Sequence, residues 1–222
     1  MIDDGSSSYE ESISMLEALR DQGVDIVCAT PHFDALRDDP DNFLEKRERA
    51  RERLGILPSG MPQILLGAEV MYFLGISRVE KITSLCLEGT KILLIEMPMS
   101  KWSDYEVKEI IALMNSGKVK VMLAHVERYL PFSNNSAIER LCDAGVIMQF
   151  NASCFKSFGS RRKAIKMLLE NEVCAIGSDC HNMGSRSPDM DVALSFIEKK
   201  MGKDFIIELD EMQRSLIKKR SN

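Results

Sequence analysis

The chain has 222 residues, 45% of them hydrophobic, and a net charge of -5; this suits one domain (1–222) or a small barrel with a sizeable core. A mildly acidic balance gives no electrostatic reason to favour nucleic acid or an anionic membrane. No apolar run exceeds strand length, which excludes membrane insertion through a helix, and the acidic start Met1-Ile2-Asp3-Asp4-Gly5 is neither a signal nor a transit peptide. A cytoplasmic location is expected. The six cysteines form no CxxC pair, which fits a reducing compartment and buried thiols rather than a zinc ribbon.

Strands and helices alternate along the chain. Ser8-Tyr9-Glu10-Glu11 reads as a capping box; Ile13, Leu16 and Leu19 follow at helical spacing, and Gly23 is a C-cap. Val24 to Ala29 is a short apolar strand running into Thr30-Pro31-His32. Asn42 to Leu54 is a highly charged helix with a solvated face, and Gly55 to Gly60 is a loop. A strand starts at Ile64 and continues through Glu69 and Val70, and the next spans Lys91 to Ile95 before Glu96-Met97-Pro98. Helices at Tyr105–Asn115, Ala137–Ala144, Arg161–Glu170, Asp189–Met201 and Phe205–Lys219 alternate with strands at Val119–Ala124, Val146–Phe150 and Val173–Ile176. The alternation predicts an α/β fold with a parallel sheet or barrel.

Nearly every predicted strand ends in a side chain that could hold a metal: His32, Glu69, Glu96, His125 and Asp179, with His181 two residues later. In an α/β barrel, catalytic groups sit beyond the C-terminal ends of the strands. Taken singly, each has an ordinary explanation. A lone histidine at a strand end is more often a hydrogen-bonded structural residue, a glutamate a surface charge, an aspartate a turn residue. Six coincident placements, which include all three histidines of the chain, point to one site with imidazole and carboxylate donors suited to manganese, zinc or iron. Arg128 and Arg186 lie three residues after His125 and five after His181. Beside metals, such guanidinium groups suit a phosphate ester, whose oxygens they bind in pairs.

The ordered series Asp3-Asp4-Gly5, Ala29-Thr30-Pro31-His32, Gly67-Ala68-Glu69, Leu94-Ile95-Glu96-Met97-Pro98, Ala124-His125-Val126-Glu127-Arg128 and Ser178-Asp179-Cys180-His181-Asn182 resembles the motifs of the PHP (polymerase and histidinol phosphatase) superfamily. Its order and spacing most resemble the bacterial manganese-dependent tyrosine phosphatases of capsule and exopolysaccharide biosynthesis. The resemblance runs from Asp3 to about Ile197. It implies a distorted seven-stranded, TIM-like β/α barrel with up to three metal ions, manganese by preference. It further implies that Asp4, His32 and His181 hold one ion, that Glu69, Glu96 and His125 hold a second, and that Glu69 bridges to a third which Asp179 also ligates. Arg128 and Arg186 would hold the phosphoryl group. The substrate implied is a phosphotyrosine protein, the tail of a bacterial tyrosine kinase, dephosphorylated by in-line attack of activated water.

The family pattern has a His-x-His pair on a first strand before the Asp-Asp-Gly turn. Met1 stands immediately before that turn, so the sequence predicts that this strand and two ligands of the third metal are missing, through a misassigned start or a truncation rather than decay. Other readings remain at this stage. A small phosphate ester such as histidinol phosphate is the alternative substrate, and a non-catalytic phosphotyrosine- or kinase-binding protein is the alternative role. Cys180 to Arg186, followed by Ser187, also has the Cys-x5-Arg-Ser spacing of cysteine-based phosphatases, though so short a match carries a high false-positive risk.

Overall fold

The computed structural model describes residues 2–170 and 173–217. Its first helix, α1 (Tyr9–Asp21), is capped by the Ser8 side chain, which accepts the Glu11 N–H. The expected capping box is only half formed: the Glu11 carboxylate accepts from Ser7 and from the Met183 N–H instead. Strand β1 (Ile26–Ala29) follows, then β2 (His32–Phe33). Thr30-Pro31 separates them, because proline has no N–H to give to a ladder.

Helix α2 (Pro40–Leu54) starts on the Asp39 cap, and β3 (Gln63–Leu66) and β4 (Glu69–Met71) form a second interrupted strand beside the first. β1 pairs with β3 and β2 with β4, both parallel. The break at Gly67 is a close approach. A Cβ there would lie 3.1 Å from Thr30 Cγ2 and 3.3 Å from Leu87 Cδ1, so any larger residue would push these neighbours apart where the two strand paths pass.

Strands β5 (Ile92–Glu96), β6 (Lys120–Leu123), β7 (Ile147–Asn151) and β8 (Val173–Gly177) extend the row. Every pairing is parallel, in the order β2-β4-β5-β6-β7-β8. The intervening helices are α3 (Asp104–Asn115), α4 (Asn135–Asp143) and α5 (Phe158–Leu169); α6 (Met190–Met201) and α7 (Lys203–Ile217) close the fold. The distorted seven-stranded barrel, expected to lack its first strand, is met in its coarser form: among the described residues the strands make a curled parallel half-barrel. Its two ends approach each other: the rings of His32, on the first strand of the row, and His181, just past the last, have centroids 5.7 Å apart.

One face of the sheet is sealed throughout, as helices packed on a parallel sheet require: Leu93, Ile95, Val121, Leu123, Met148 and Phe150 share it and are all fully buried, while Leu94, Met122 and Gln149 on the other face are half-buried. Helix α3 shows how the sequence reaches that core. Val107, Ile110 and Leu113 form its buried stripe, and Ser103 and Glu106 make the reciprocal capping box that Ser8 lacks. At the opposite end of the sheet from the candidate site, Leu65, Leu87 and Ile92 form a smaller cluster that Leu216 and Ile217 of α7 cover.

Helix α2 presents a charged, solvated face, as expected, and turns Phe43 edge-on against Phe33, with Leu44 packed on the core and Arg47 donating to the Gly67 carbonyl. α5 starts at Phe158, three residues earlier than the sequence suggests, and Asp189 is the cap of α6 rather than its first turn. The expected end of α7 at Lys219 lies outside the described residues. Five 3-10 turns, among them Glu80–Leu85 and Val126–Arg128, fill segments to which the sequence assigned nothing. No helix among the described residues is long and apolar enough to cross a membrane.

Candidate metal centre

All nine candidate residues come together: Glu96 ends β5, His125 and Asp179 follow β6 and β8, and His32 and Glu69 open the short strands β2 and β4 just past the breaks that follow β1 and β3. Ligand atoms of Asp4, His32 and His181 lie within 4.8 Å of one another, as do those of His32, Glu69 and Glu96, so His32 belongs to both groups. His125 joins them through Nε2, which is 3.0 Å from Glu69 and 3.3 Å from Glu96. The two imidazoles of the first group are set for a cation. His32 Nδ1 and its backbone N–H both donate to Asp3 Oδ2 at 2.9 Å, and His181 Nδ1 donates to the Asp179 carbonyl at 3.0 Å. A held Nδ1–H fixes the tautomer and leaves Nε2 as the donor for a metal. Three imidazoles with Asp4, Glu69 and Glu96 at this spacing fit a divalent transition metal.

Asp179 is placed differently. It is absent from both groups, and its carboxylate accepts from Arg128, from Arg186 at 2.9 Å and from Asn151 at 2.8 Å. Arg186 also reaches Asp4 at 3.4 Å. The two guanidinium groups thus meet on one carboxylate at the edge of the metal-spaced cluster.

The electrostatics follow from these contacts. The Asp3 bond, against the opposing effect of burial, lifts His32 to about 9. Burial opposes the charge on His125, yet its bonds to Glu69 and Glu96 win and hold it near 9. Glu96 is lowered by the hydrogen bond from His125. Burial works to raise Asp179, but Arg128 and Arg186 outweigh it and its carboxyl is held below the usual range. Two of the candidate residues also have strained backbone: His125 has φ 34° and Asp179 φ 51°, the left-handed region that costs non-glycine residues energy and persists where surrounding contacts over-determine it.

Similarity to known proteins gives the family. The model of the family "Capsular polysaccharide synthesis, CpsB/CapC" matches residues 1–214. The chain belongs to that family. The tyrosine-protein phosphatase CpsB of Streptococcus pneumoniae is 32% identical over 217 residues, covering 90% of this chain and 87% of the relative. YwqE of Bacillus subtilis, also named a tyrosine-protein phosphatase, is 28% identical over 225 residues, covering 98% of this chain and 87% of the relative. Among solved structures, one described as YwqE and CpsB, "unique metal-dependent tyrosine phosphatases", superposes with a TM-score of 0.77 over 99% of this chain and 91% of that one, at 22% identity. It shows that the CpsB/CapC member described here shares their fold.

Three residues of this CpsB/CapC site escape a reading based on strand-end ligands. Asp3 orients His32; Asn151, the last residue of β7, bonds Asp179; and Gln149 accepts the His125 backbone N–H at 2.6 Å. Asn151 could have been found by the strand-end rule that found the others, had amides been counted with metal donors. A Cβ on Gly177 would lie 2.8 Å from Gln149 Nε2, so a larger residue there would displace this amide.

The cysteine-phosphatase spacing fails on structure. The loop from Cys180 to Arg186 turns its amides inward: His181 and Asn182 N–H donate to the Arg186 carbonyl, and Gly184 and Arg186 N–H to Asn182 Oδ1. These are the donors a phosphate cradle would need free. Burial pushes the Cys180 thiol up rather than down, opposite to what a nucleophilic thiolate requires.

Proposed function

We propose that this chain is a metal-dependent protein-tyrosine phosphatase acting on the phosphotyrosine tail of a bacterial tyrosine kinase in capsule synthesis. The observation that carries this reading is the meeting of Arg128 and Arg186 on Asp179 beside the imidazole–carboxylate cluster. The relatives' names and the metal dependence of the similar structure support it.

In this reading Asp4, His32 and His181 hold one ion; Glu69, Glu96 and His125 hold a second, with His32 adjacent to both; and Glu69 and Asp179 face a third. Manganese is the metal proposed, and zinc or iron suits the same donors. Bound metals would lower the pKa of water and neutralise charge developing on the phosphoryl group. The chain's own residues do the rest. Arg128 and Arg186 grip the phosphoryl oxygens with guanidinium donors now turned toward Asp179, and Asn151 keeps that carboxylate from swinging away with them. A phenolate, whose conjugate acid has a pKa of about 10, is a good leaving group and asks less of a proton donor than an alkoxide would.

The domain proposed is the whole chain, 1–222, in the cytoplasm. The sheet is proposed to belong to a distorted seven-stranded barrel, the seventh position lying between β8 and the β1–β2 edge, since those ends already approach each other. Phosphate release from a phosphotyrosine peptide and from histidinol phosphate, each with manganese and after chelation, tests the reading. Metal-dependent preference for the peptide is expected. Equal or greater turnover of histidinol phosphate would favour the small-molecule alternative, and binding without turnover the non-catalytic one.

A further inference from the structure

We infer that Tyr129 is a positioning residue of the metal centre: its ring orients His125 and its hydroxyl fixes the backbone beside Glu96, so that one buried side chain sets the spacing of two ligands. The inference rests on the reading of Glu69, Glu96 and His125 as a cation site and adds to it what holds that site in shape.

The three imidazoles of the cluster are not supported alike. His32 Nδ1 is held by Asp3, and His181 Nδ1 by the Asp179 carbonyl. His125 has no such hold. Its Nδ1 is buried, yet it has no hydrogen-bond partner among the described residues. Its Nε2 faces Glu69 and Glu96, the side offered to a cation. A histidine that ligates a metal ordinarily takes its ring orientation from a bond at the other nitrogen. For His125 that task falls to packing. The ring packed on it is Tyr129, with centroids 5.5 Å apart at an interplanar angle of 51°, within the range of attractive aromatic pairs. The local chain makes this contact. The 3-10 turn Val126–Arg128, closed by the Arg128 N–H on the His125 carbonyl at 2.9 Å, brings Tyr129 back beside the residue on which the turn began.

The hydroxyl reaches the other ligand. Tyr129 is fully buried, and its oxygen accepts the Met97 N–H at 2.9 Å, one residue beyond Glu96 at the end of β5. Phenylalanine would fill nearly the same space without burying a hydroxyl, whose desolvation a hydrogen bond must offset. The bond it makes is to the N–H adjacent to Glu96. The bracing continues outward. Trp102 packs edge-on against the same ring at 4.9 Å and donates its indole N–H to the Pro98 carbonyl at 3.0 Å. Asn134, also buried, accepts the Trp102 N–H at 2.9 Å and donates to the Ser100 carbonyl at 2.9 Å and the Tyr129 carbonyl at 3.4 Å. The segment after β5 and the segment after β6 are thereby fastened to each other, and Tyr129 is the member of that network whose ring meets His125.

A core aromatic with no further role would loosen every part of the cluster alike when changed; a positioning residue loosens the ligands it braces. The chain has only three histidines, so each can be followed separately. Their ring NMR signals, assigned by single substitution, are recorded as buffered zinc is added to the full chain, for the parent, Tyr129→Phe and Tyr129→Leu. Tyr129→Phe keeps the ring and releases Met97. Its zinc concentration at half-shift is expected to rise about tenfold for His125 and to stay unchanged for His181. Tyr129→Leu removes the aromatic ring as well and should raise the His125 midpoint about a hundredfold. Leu93→Ala, a core truncation elsewhere in β5, should move neither. An unchanged His125 midpoint in Tyr129→Phe, equal loss at His125 and His181, or the same loss in Leu93→Ala would overturn the inference. Should Tyr129→Leu fail to fold, Tyr129→Phe decides alone. Zinc that shifts no histidine of the parent would break the metal-centre reading itself, and the inference with it.

Discussion

The two ends of the parallel sheet solve the same geometric problem with different residues. Where helices hand over to strands, the chain turns on glycines: Gly117 before β6 and Gly145 before β7 take φ of 69° and 82°, which glycine does without cost. Where strands end, the left-handed turns fall on His125 and Asp179 at φ 34° and 51°, side chains that the turn forces into the cluster. The entry end is free of strain and can be built by any sequence with glycine in place. The exit end stores strain at the residues that face the candidate metals and arginines, and its polar contacts hold it there. Stability should therefore be vulnerable in the core and at the entry turns, and activity at the exit turns.

The sharpest way to break this contrast is Arg128→Ala. It should lower kcat/KM on a phosphotyrosine peptide about a thousandfold with a small change in melting temperature; a large loss of stability with activity retained per folded molecule would erase the distinction. The mirror experiment is Leu93→Ala, in the fully buried centre of β5. A cost of about 3 kcal/mol in urea unfolding is expected, with kcat unchanged at temperatures where the variant is folded.

Metal affinity should depend on pH through the same end of the sheet. In the metal-free chain His32 and His125 are both held near 9, so each must shed a proton to bind a cation. Below pH 9, affinity at each site should weaken about tenfold per pH unit, with protons released on binding in calorimetry across buffers. Stability of the metal-free chain runs the other way. Raised folded values give a stabilisation fully present below the unfolded value of about 6.5 and lost as pH climbs through about 9. An affinity flat between pH 7 and 9 would contradict the assignment of these imidazoles.

Smaller effects sharpen the picture. Asn151→Ala frees one of the holds on Asp179 and should cost about tenfold in activity, read mainly in KM for the phosphorylated peptide; an effect on melting alone would make Asn151 merely structural. Gly145→Ala meets only Met114 Cε at 3.8 Å, so its cost is conformational, about 1 kcal/mol, measured by thermal unfolding with kcat unaltered.

Much of the exit end was legible in the sequence, because strand-end placement alone puts His32, Glu69, Glu96, His125 and Asp179 at one face and the family motifs fix their order. What was not legible depends on partners far along the chain. Asp3 acts on a ring 29 residues away and Asn151 on a carboxylate 28 away; a turn motif and a strand end mark their positions, but neither names the partner. Glu109 of α3, to which the sequence assigns no role, is buried and accepts the Tyr72 hydroxyl at 2.6 Å. The interruption at Gly67 likewise divides what periodicity reads as one continuous strand, because the close contact with Thr30 is a tertiary fact.

The central claim is that this exit end is a metal-dependent phosphotyrosine site. The most direct test is phosphate release from a phosphotyrosine peptide by the purified chain as isolated, after exhaustive chelation, and after manganese is restored. The expected result is activity lost on chelation and recovered with manganese. Activity that survives chelation and disappears in Cys180→Ser would contradict the account.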